Sequence, residues 1–526
     1  MAYFYRVIVT FFMAARHFIG IMGWVKLAFG KEKTMRFWIL LVIMGLCFAP
    51  SAAQDNPQSE PFLYGVTINT GEAQAGYLLV SLLDSQIAFL LSNDGRVVQY
   101  WRSDYEPGLS AYLRADGTLI RTAAISNWAL GNLLFFMNGR VEWFDWENNL
   151  TGQVEYLSDW YVGHHDIEPL PNGNILMIAY DRYSAAEALT AGRKPTLLPF
   201  IGYVWSEKVV EINPKTGEVV WEWRAWEHLI QEYDSAENNF GSVADHPGKI
   251  HLNFVDGLTL ADWLHINSID YNAELDQILL SASFFGEIWV IDHSLSTAEA
   301  RGAAGDLLYR WGNPEAHNAG SGADQVLFGQ HDAQWIPAGY PGAGNILIFD
   351  NGDGGRDYSR IVEIAPPLTG NGSYQMAVGE PTLPENLAWE YIAPEPQTLF
   401  AQIGGGVQRQ PNGNTLITDT SNGRIFEVKP NGDIVWDYVL PPGARAFRAE
   451  RYIDLPIFAS LDPQADYSAE IGFETVWLAE CADNTVIRLY GFRADDAVVI
   501  AEYQNQYGDD AQHEWQKSTC ESHGGL

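Results

Sequence analysis

Twelve histidines occur in the 526 residues, and three of them sit at one place in a repeated pattern: His165 in Gly163-His164-His165-Asp166, His265 in Leu264-His265-Ile266-Asn267, and His331 in Gly329-Gln330-His331-Asp332. Three neutral imidazoles can ligate zinc, copper or iron. Here, however, His-x-Asn supplies an amide where a carboxylate ligand is expected, and no Glu-x-x-His or other paired-ligand spacing occurs. Imidazoles grouped with an asparagine suit an anionic tetrahedral group better, because they donate hydrogen bonds to its oxygens while one neutral nitrogen attacks its centre. A lone histidine at such a position reads as a satisfied core residue; recurrence in three units argues for one shared pocket. Strand alternation puts His265 and Asn267 on the same side and turns His164 and His165 opposite ways, so one of that pair reaches the pocket and His165 is the expected one.

Such a convergence needs elements that repeat in register. The clearest unit runs from Gln408 through the Asn412-Gly413 turn, the strand Thr415 to Thr418, the strand Arg424 to Pro430 and the Asn431-Gly432 turn to Asp433–Tyr438. An earlier copy has Leu170-Pro171-Asn172-Gly173-Asn174, Ile175 to Tyr180, Val209 to Asn213, Thr216-Gly217 and Glu218 to Trp223. Looser copies span Tyr64 to Trp101, Ser110 to Leu157, Leu264 to Trp311 and His331 to Tyr391, which brings the total to six. Radially arranged units of four antiparallel strands make a propeller, in which the first strand of every blade lines the central channel. The sequence therefore predicts an all-β fold: a six-bladed β-propeller of four-stranded antiparallel blades. Its long insertions, Arg224 to Asp262 and Ala298 to Gln330, are expected at the funnel mouth, where binding chemistry sits. The last strands, Thr475 to Leu478 and Thr485 to Phe492, are expected to complete a blade with the first strand of the mature chain.

Composition agrees. A 47% hydrophobic chain with 19 Trp, 25 Tyr and 49 Gly excludes a disordered protein and favours many short strands joined by tight turns. Lys31, Lys33 and Arg36, the apolar run Phe37 to Ala49, and the small residues Ser51 and Ala53 form a secretory signal layout. The run is shorter than the ~20 residues of a membrane span, so residues 1–53 read as a leader with a cleavable signal and 54–526 as one propeller domain with a C-terminal extension. The expected location is periplasmic or secreted, with no stable membrane insertion of the mature chain. Residues 1–53 hold six basic residues and one acid, so their removal takes the formal charge from −35 to −40, which repels nucleic acid. Cys481 and Cys520 are the two cysteines left after removal, too few for a zinc cluster.

Other motifs carry less. Thr216-Gly217-Glu218-Val219-Val220-Trp221, echoed from Asn431 to Trp436, looks like the tryptophan docking motif of quinoprotein dehydrogenases, but a turn followed by a tryptophan wedged between blades explains it without a cofactor. Phe349 to Gly355 resembles a calcium loop, yet its twelfth position counted from Asp350 is Ile361 and not a glutamate, so it reads as a hairpin end. No Gly-x-x-x-x-Gly-Lys-Ser/Thr loop or Gly-x-Ser-x-Gly elbow occurs.

His164 to Asn174, Trp263 to Ser268, Leu308 to Pro314, Gly329 to Ala333, Phe349 to Gly354 and Gln410 to Ile417 together resemble the bacterial arylsulfotransferase family over nearly the whole mature chain. The resemblance implies a periplasmic six-bladed propeller that moves a sulfuryl group from an aryl sulfate to a phenol, with no nucleotide donor and no cofactor. It further implies that His331 is the transiently sulfated histidine, that His265 and Asn267 contact the sulfuryl oxygens and assist proton transfer, and that His165, with His164 beside it, supports them. The family's arginine falls at Ser283, which cannot neutralise sulfuryl charge as a guanidinium does. Loss of one such contact costs roughly a hundredfold in rate, so Arg409 and Arg448 are candidate substrate-binding substitutes. Two further readings follow: a propeller that binds aryl sulfates or similar anions without turnover, and a quinoprotein-type dehydrogenase.

Overall fold

The computed structural model describes residues 64–472 except 84, 126–137, 200, 256–260, 353–354, 371 and 442, together with Thr475–Glu480, Val486–Tyr490 and residue 517. The expected leader, Cys481 and Cys520 lie outside the described residues.

Six four-stranded antiparallel blades follow one another. From the inner strand outward, the second blade is Pro107–Leu113, Leu119–Ala123, Arg140–Phe144 and Leu150–Glu155; the third is Tyr161–Pro169, Ile175–Ser184, Tyr203–Ile212 and Val219–Arg224. The fourth is Ile266–Asn272, Gln277–Ala282, Glu287–Asp292 and Tyr309–Trp311; the fifth is His331–Trp335, Ile346–Asp350, Arg360–Ile364 and Trp389–Tyr391. The sixth, Gly406–Arg409, Thr415–Asp419, Arg424–Val428 and Ile434–Val439, gains Gly65–Asn69 as a fifth strand on its outer edge. The first blade takes Tyr77–Leu82, Ile87–Ser92 and Val97–Arg102 from the start of the chain and its inner strand, Ala446–Tyr452, from the far end. Thr475–Glu480 and Val486–Tyr490 pair with each other, and Val486–Tyr490 lies against Gly65–Asn69, the first described strand, as expected; the first blade itself is completed by Ala446–Tyr452.

Each blade is covered by a neighbour on both faces, so its middle strands are buried along their whole length, as in Ile87–Ser92 and Gln277–Ala282. Six apolar clusters result, one at each junction between consecutive blades. Tryptophans of the outer strands reinforce five of the junctions: the indole N–H of Trp101, Trp221, Trp311, Trp389 and Trp436 donates to the carbonyl of Asp145, Leu295, Pro384, Pro430 and Asn93 in the following blade, at 2.8–2.9 Å. Trp221 and Trp436 end the Thr-Gly and Asn-Gly turns noted above, so inter-blade docking accounts for both. At the turns, Gly173 and Gly413 have φ of +89° and +92°, which a side chain rarely adopts.

The axis itself is charged. Arg448, buried, donates to both oxygens of Asp166 (2.8 and 2.9 Å) and to Asp332 Oδ1 (3.2 Å), joining the first blade to the third and fifth. Asp166 and Asp332 also accept the backbone N–H of Ile269 (3.3 Å) and Val407 (2.7 Å), each in the next blade round. Arg448→Met leaves these carboxylates buried without their cation and is expected to destabilise the fold by ~3–5 kcal/mol, whereas Asp332→Asn, which keeps an acceptor, costs about half as much or less. Urea unfolding followed by tryptophan fluorescence measures both.

Candidate active site

The histidines begin where the inner strands start. His331 opens its strand opposite Phe349; His265 immediately precedes Ile266; His165 lies where the ladder between Tyr161–Pro169 and Ile175–Ser184 slips register. His165 and His265 adopt left-handed backbone at φ +50° and +52°, as does Asp332 at +49°. Such bulges redirect side chains and are costly for non-glycine residues, at ~1–3 kcal/mol each.

The structure brings His165, His265 and His331 together. The His165 and His265 rings meet edge to face with centroids 4.7 Å apart, and the Phe447 ring lies 6.5 Å from His165 and 5.8 Å from His331. His164 sits behind them, fully buried and stacked on Tyr180 at 3.6 Å, with its Nδ1 2.7 Å from His165 Nδ1. Burial pushes His164 down to about 3 and His331 down to about 4; it also pushes His165 well below the usual histidine range, helped by the neighbouring imidazoles.

Hydrogen bonds set the tautomer of His331. Asn351 Nδ2 donates to the carbonyls of Ala401 and Gly404, both at 2.7 Å, so the atom it turns to the ring is Oδ1. His331 Nδ1 is 2.9 Å from that oxygen and 2.9 Å from the Gly329 carbonyl, two acceptors, and therefore carries the proton. Nε2 keeps its lone pair, met by the Gly404 N–H at 3.3 Å. Gly404 has φ +66°, and a Cβ there would lie 2.7 Å from Thr420 Oγ1, so glycine is required for the backbone to come this close.

His265 is fixed in the same sense. Its Nδ1 lies 2.6 Å from Asp262 Oδ2, its backbone N–H donates to Asp262 Oδ1 at 3.1 Å, and its ring stacks on Phe284 at 4.6 Å. Of its side chain 17% is exposed. Phe284 and Ile403, the neighbour of Gly404, are exposed apolar residues.

The other expected residues lie elsewhere or act indirectly. Asn267 is buried and its Nδ2 donates to the Gln330 carbonyl at 2.8 Å, so it grips the residue before His331. Ser283 donates its backbone N–H to the His265 carbonyl, and among the described residues no cationic side chain is hydrogen-bonded to it. Arg448 is occupied by the axial carboxylates. The structure does not bring Arg409 to the histidines: it pairs with Glu363, donates to the Gly413 carbonyl and lies over the Trp389 ring. Both arginines border a cavity of about 490 Å³ at the opposite end of the inner strands, with Glu168, Asp270 and Glu450. Neither is hydrogen-bonded to Ser283, and each pairs with a buried carboxylate. Among the described residues no group of histidines, cysteines and carboxylates is arranged to hold a metal ion.

The family model described as arylsulfotransferase (ASST) matches residues 82–437, most of the chain and the whole histidine site. The chain belongs to the arylsulfotransferase family. No curated protein matches this chain. Among solved structures, it resembles a Bacteroides caccae protein of unknown function (12% identity, 69% of this chain and 94% of that one, TM-score 0.37) and a Staphylococcus aureus virginiamycin B lyase (10% identity, 73% and 86%, TM-score 0.33). Neither is close enough to bear on the site. Among the described residues no helix is long and apolar enough to cross a membrane.

Sequence reading missed Asn351, Gly404 and Asp262. Asn351 lay in a run read as a hairpin end, while Asp262 stands three residues before His265 and was open to notice. Asn351→Leu is expected to leave His331 in mixed tautomers, seen by ¹⁵N NMR of histidine-labelled protein, where the wild type shows the Nδ1–H form alone.

Proposed function

We propose that this arylsulfotransferase transfers a sulfuryl group from an aryl sulfate ester to a phenol by way of a sulfo-histidine at His331. The observation that carries the reading is the locked tautomer of His331: Nδ1–H is held by Gly329 and Asn351, so Nε2 carries the lone pair, and its long 3.3 Å contact with the Gly404 N–H is what a bond to sulfur would replace. In the first half-reaction Nε2 bonds to sulfur as the S–O bond to the donor aryl group breaks, and the donor leaves as a phenolate that takes its proton from solvent. In the second, the acceptor phenol gives its proton to His265 Nε2, its oxygen bonds to sulfur, the N–S bond breaks, and His265 then releases that proton to solvent. Protons balance over the cycle. The exposed faces of Phe284 and Ile403 suit an aryl ring, and the Gly404 N–H is a neutral donor beside the sulfuryl group.

Ser283 favours a second reading, an anion-binding propeller without turnover, because among the described residues no cationic side chain is hydrogen-bonded to it. Intact-mass analysis after mixing with a chromogenic aryl sulfate separates the two. The transferase gains one SO₃ per chain, and His331→Asn gains none; binding without mass gain in the wild type supports the second reading and ends the first.

The pH dependence follows from burial. With His331 pushed down to about 4, the nucleophile stays neutral through the physiological range. Sulfo-histidine formation is therefore expected to lose its nucleophile only as pH falls through about 4, which pre-steady-state phenol release measures; a loss centred near the ordinary histidine value would show that the ring is not buried as described.

A further inference from the structure

Behind His265 lies a set of acidic groups for which the transfer chemistry above has no use. Asp262 is buried at 7% exposure and receives three hydrogen bonds: from His265 Nδ1, from the His265 backbone, and from the Tyr180 hydroxyl at 2.9 Å. Glu207, 1% exposed, lies two residues along the strand from Trp205, to which Asp262 bridges, so the two carboxyl groups are neighbours. Glu207 Oε1 accepts the Ile266 N–H at 3.2 Å, whereas Oε2 is buried with no donor from any described residue. Two ionised carboxylates facing each other in a dry interior repel strongly, so a proton between them resolves both the repulsion and the orphaned oxygen. Burial, with the Asp262 charge added, pushes Glu207 well above the usual carboxylate range, and Asp262 is held below it; burial opposes that lowering and His265 is its main cause.

The scaffold is rigid. Tyr180 and Glu207 are directly opposite each other in the ladder between Ile175–Ser184 and Tyr203–Ile212. Asp262 is pinned to the same strand: it bridges to Trp205, whose N–H donates to the Ala261 carbonyl at 2.8 Å. Blade three therefore carries the device, and it acts on a histidine of blade four. The titratable groups that face it are His164, stacked on Tyr180, His165, stacked edge-on to His265, and His331 beyond them.

We propose that Asp262, Tyr180 and protonated Glu207 form a positioning relay that holds His265 as the Nδ1–H tautomer with Nε2 directed to the reacting oxygen. Asp262 is the one ionised member. Glu207 donates its Oε2 proton to Asp262 and keeps it throughout, and Tyr180 donates its hydroxyl hydrogen. When His265 Nε2 takes the acceptor's proton, the Asp262 charge faces the imidazolium. This inference rests on the proposed transfer for its catalytic meaning, but its structural content is tested without turnover.

Histidine-labelled protein is examined by ¹⁵N NMR, and donor and acceptor kinetics are measured on the same variants. The wild type is expected to show His265 as Nδ1–H; Asp262→Asn, whose amide can offer N–H to the ring, is expected to populate the Nε2–H tautomer and lower kcat about a hundredfold with KM within about twofold. Tyr180→Phe keeps the stack on His164 and lowers kcat by about threefold to tenfold. Glu207→Leu lowers kcat by about tenfold, and Glu207→Gln, an uncharged donor, recovers most of that loss. Thermal melts confirm that each variant is folded, and Tyr180→Phe serves if Asp262→Asn is not. A wild type that transfers no sulfuryl group, yet loses the Nδ1–H tautomer in Asp262→Asn, fails the functional reading and upholds the relay. An unchanged tautomer in a folded Asp262→Asn, or a Gln variant no better than Leu at position 207, overturns it.

Discussion

One guanidinium holds the centre of this propeller. Arg448 comes from the strand that closes the ring, and it meets the carboxylates of Asp166 and Asp332 from two other blades where almost no water reaches. Those acids directly follow His165 and His331 in sequence. Because each also takes a backbone N–H from the next blade, the charge contact on the axis fixes the height of the inner strands, and with it the height of the imidazoles. Buried ion pairs of this kind add little net stability over an apolar core, but a missing partner is severely penalised, which makes the arrangement specific.

Left-handed backbone at His165, His265 and Asp332 is the second constraint. A regular strand alternates its side chains and would send His164 and His165 to opposite faces. The bulge puts both rings in one cluster instead, one turned towards His265 and the other packed behind it on Tyr180. The strain is held by neighbours on both sides, as a propeller's inner strands allow, and it is spent on positioning rather than on stability.

Electrostatically the site runs against the molecule that carries it. The chain has a formal charge of −35, yet burial favours the neutral form of three of its clustered imidazoles, His164, His165 and His331. What the site offers is lone pairs, N–H groups and an aromatic face, and among the described residues no cationic side chain is hydrogen-bonded to Ser283. The acidic groups nearest the cluster, Asp262, Asp166 and Asp332, are each taken up by a histidine or by Arg448.

The repeat of turns, apolar strands and tryptophans determined the fold class, because each local pattern builds one blade and six blades bury what one cannot. The recurrence of a histidine at one point in three of those units likewise determined that imidazoles share an end of the channel. Closure was legible only in part: Val486–Tyr490 does lie against Gly65–Asn69, but no local signal marks Ala446–Tyr452 as the partner of Tyr77–Leu82, hundreds of residues away. Nor were the partners of the histidines, since Asn351, Gly404, Asp262 and Glu207 come from loops and neighbouring blades whose distances are set only when the ring is complete. Residue type said which chemistry was available; the hydrogen-bond partners that decide which nitrogen holds a proton exist only in the folded chain.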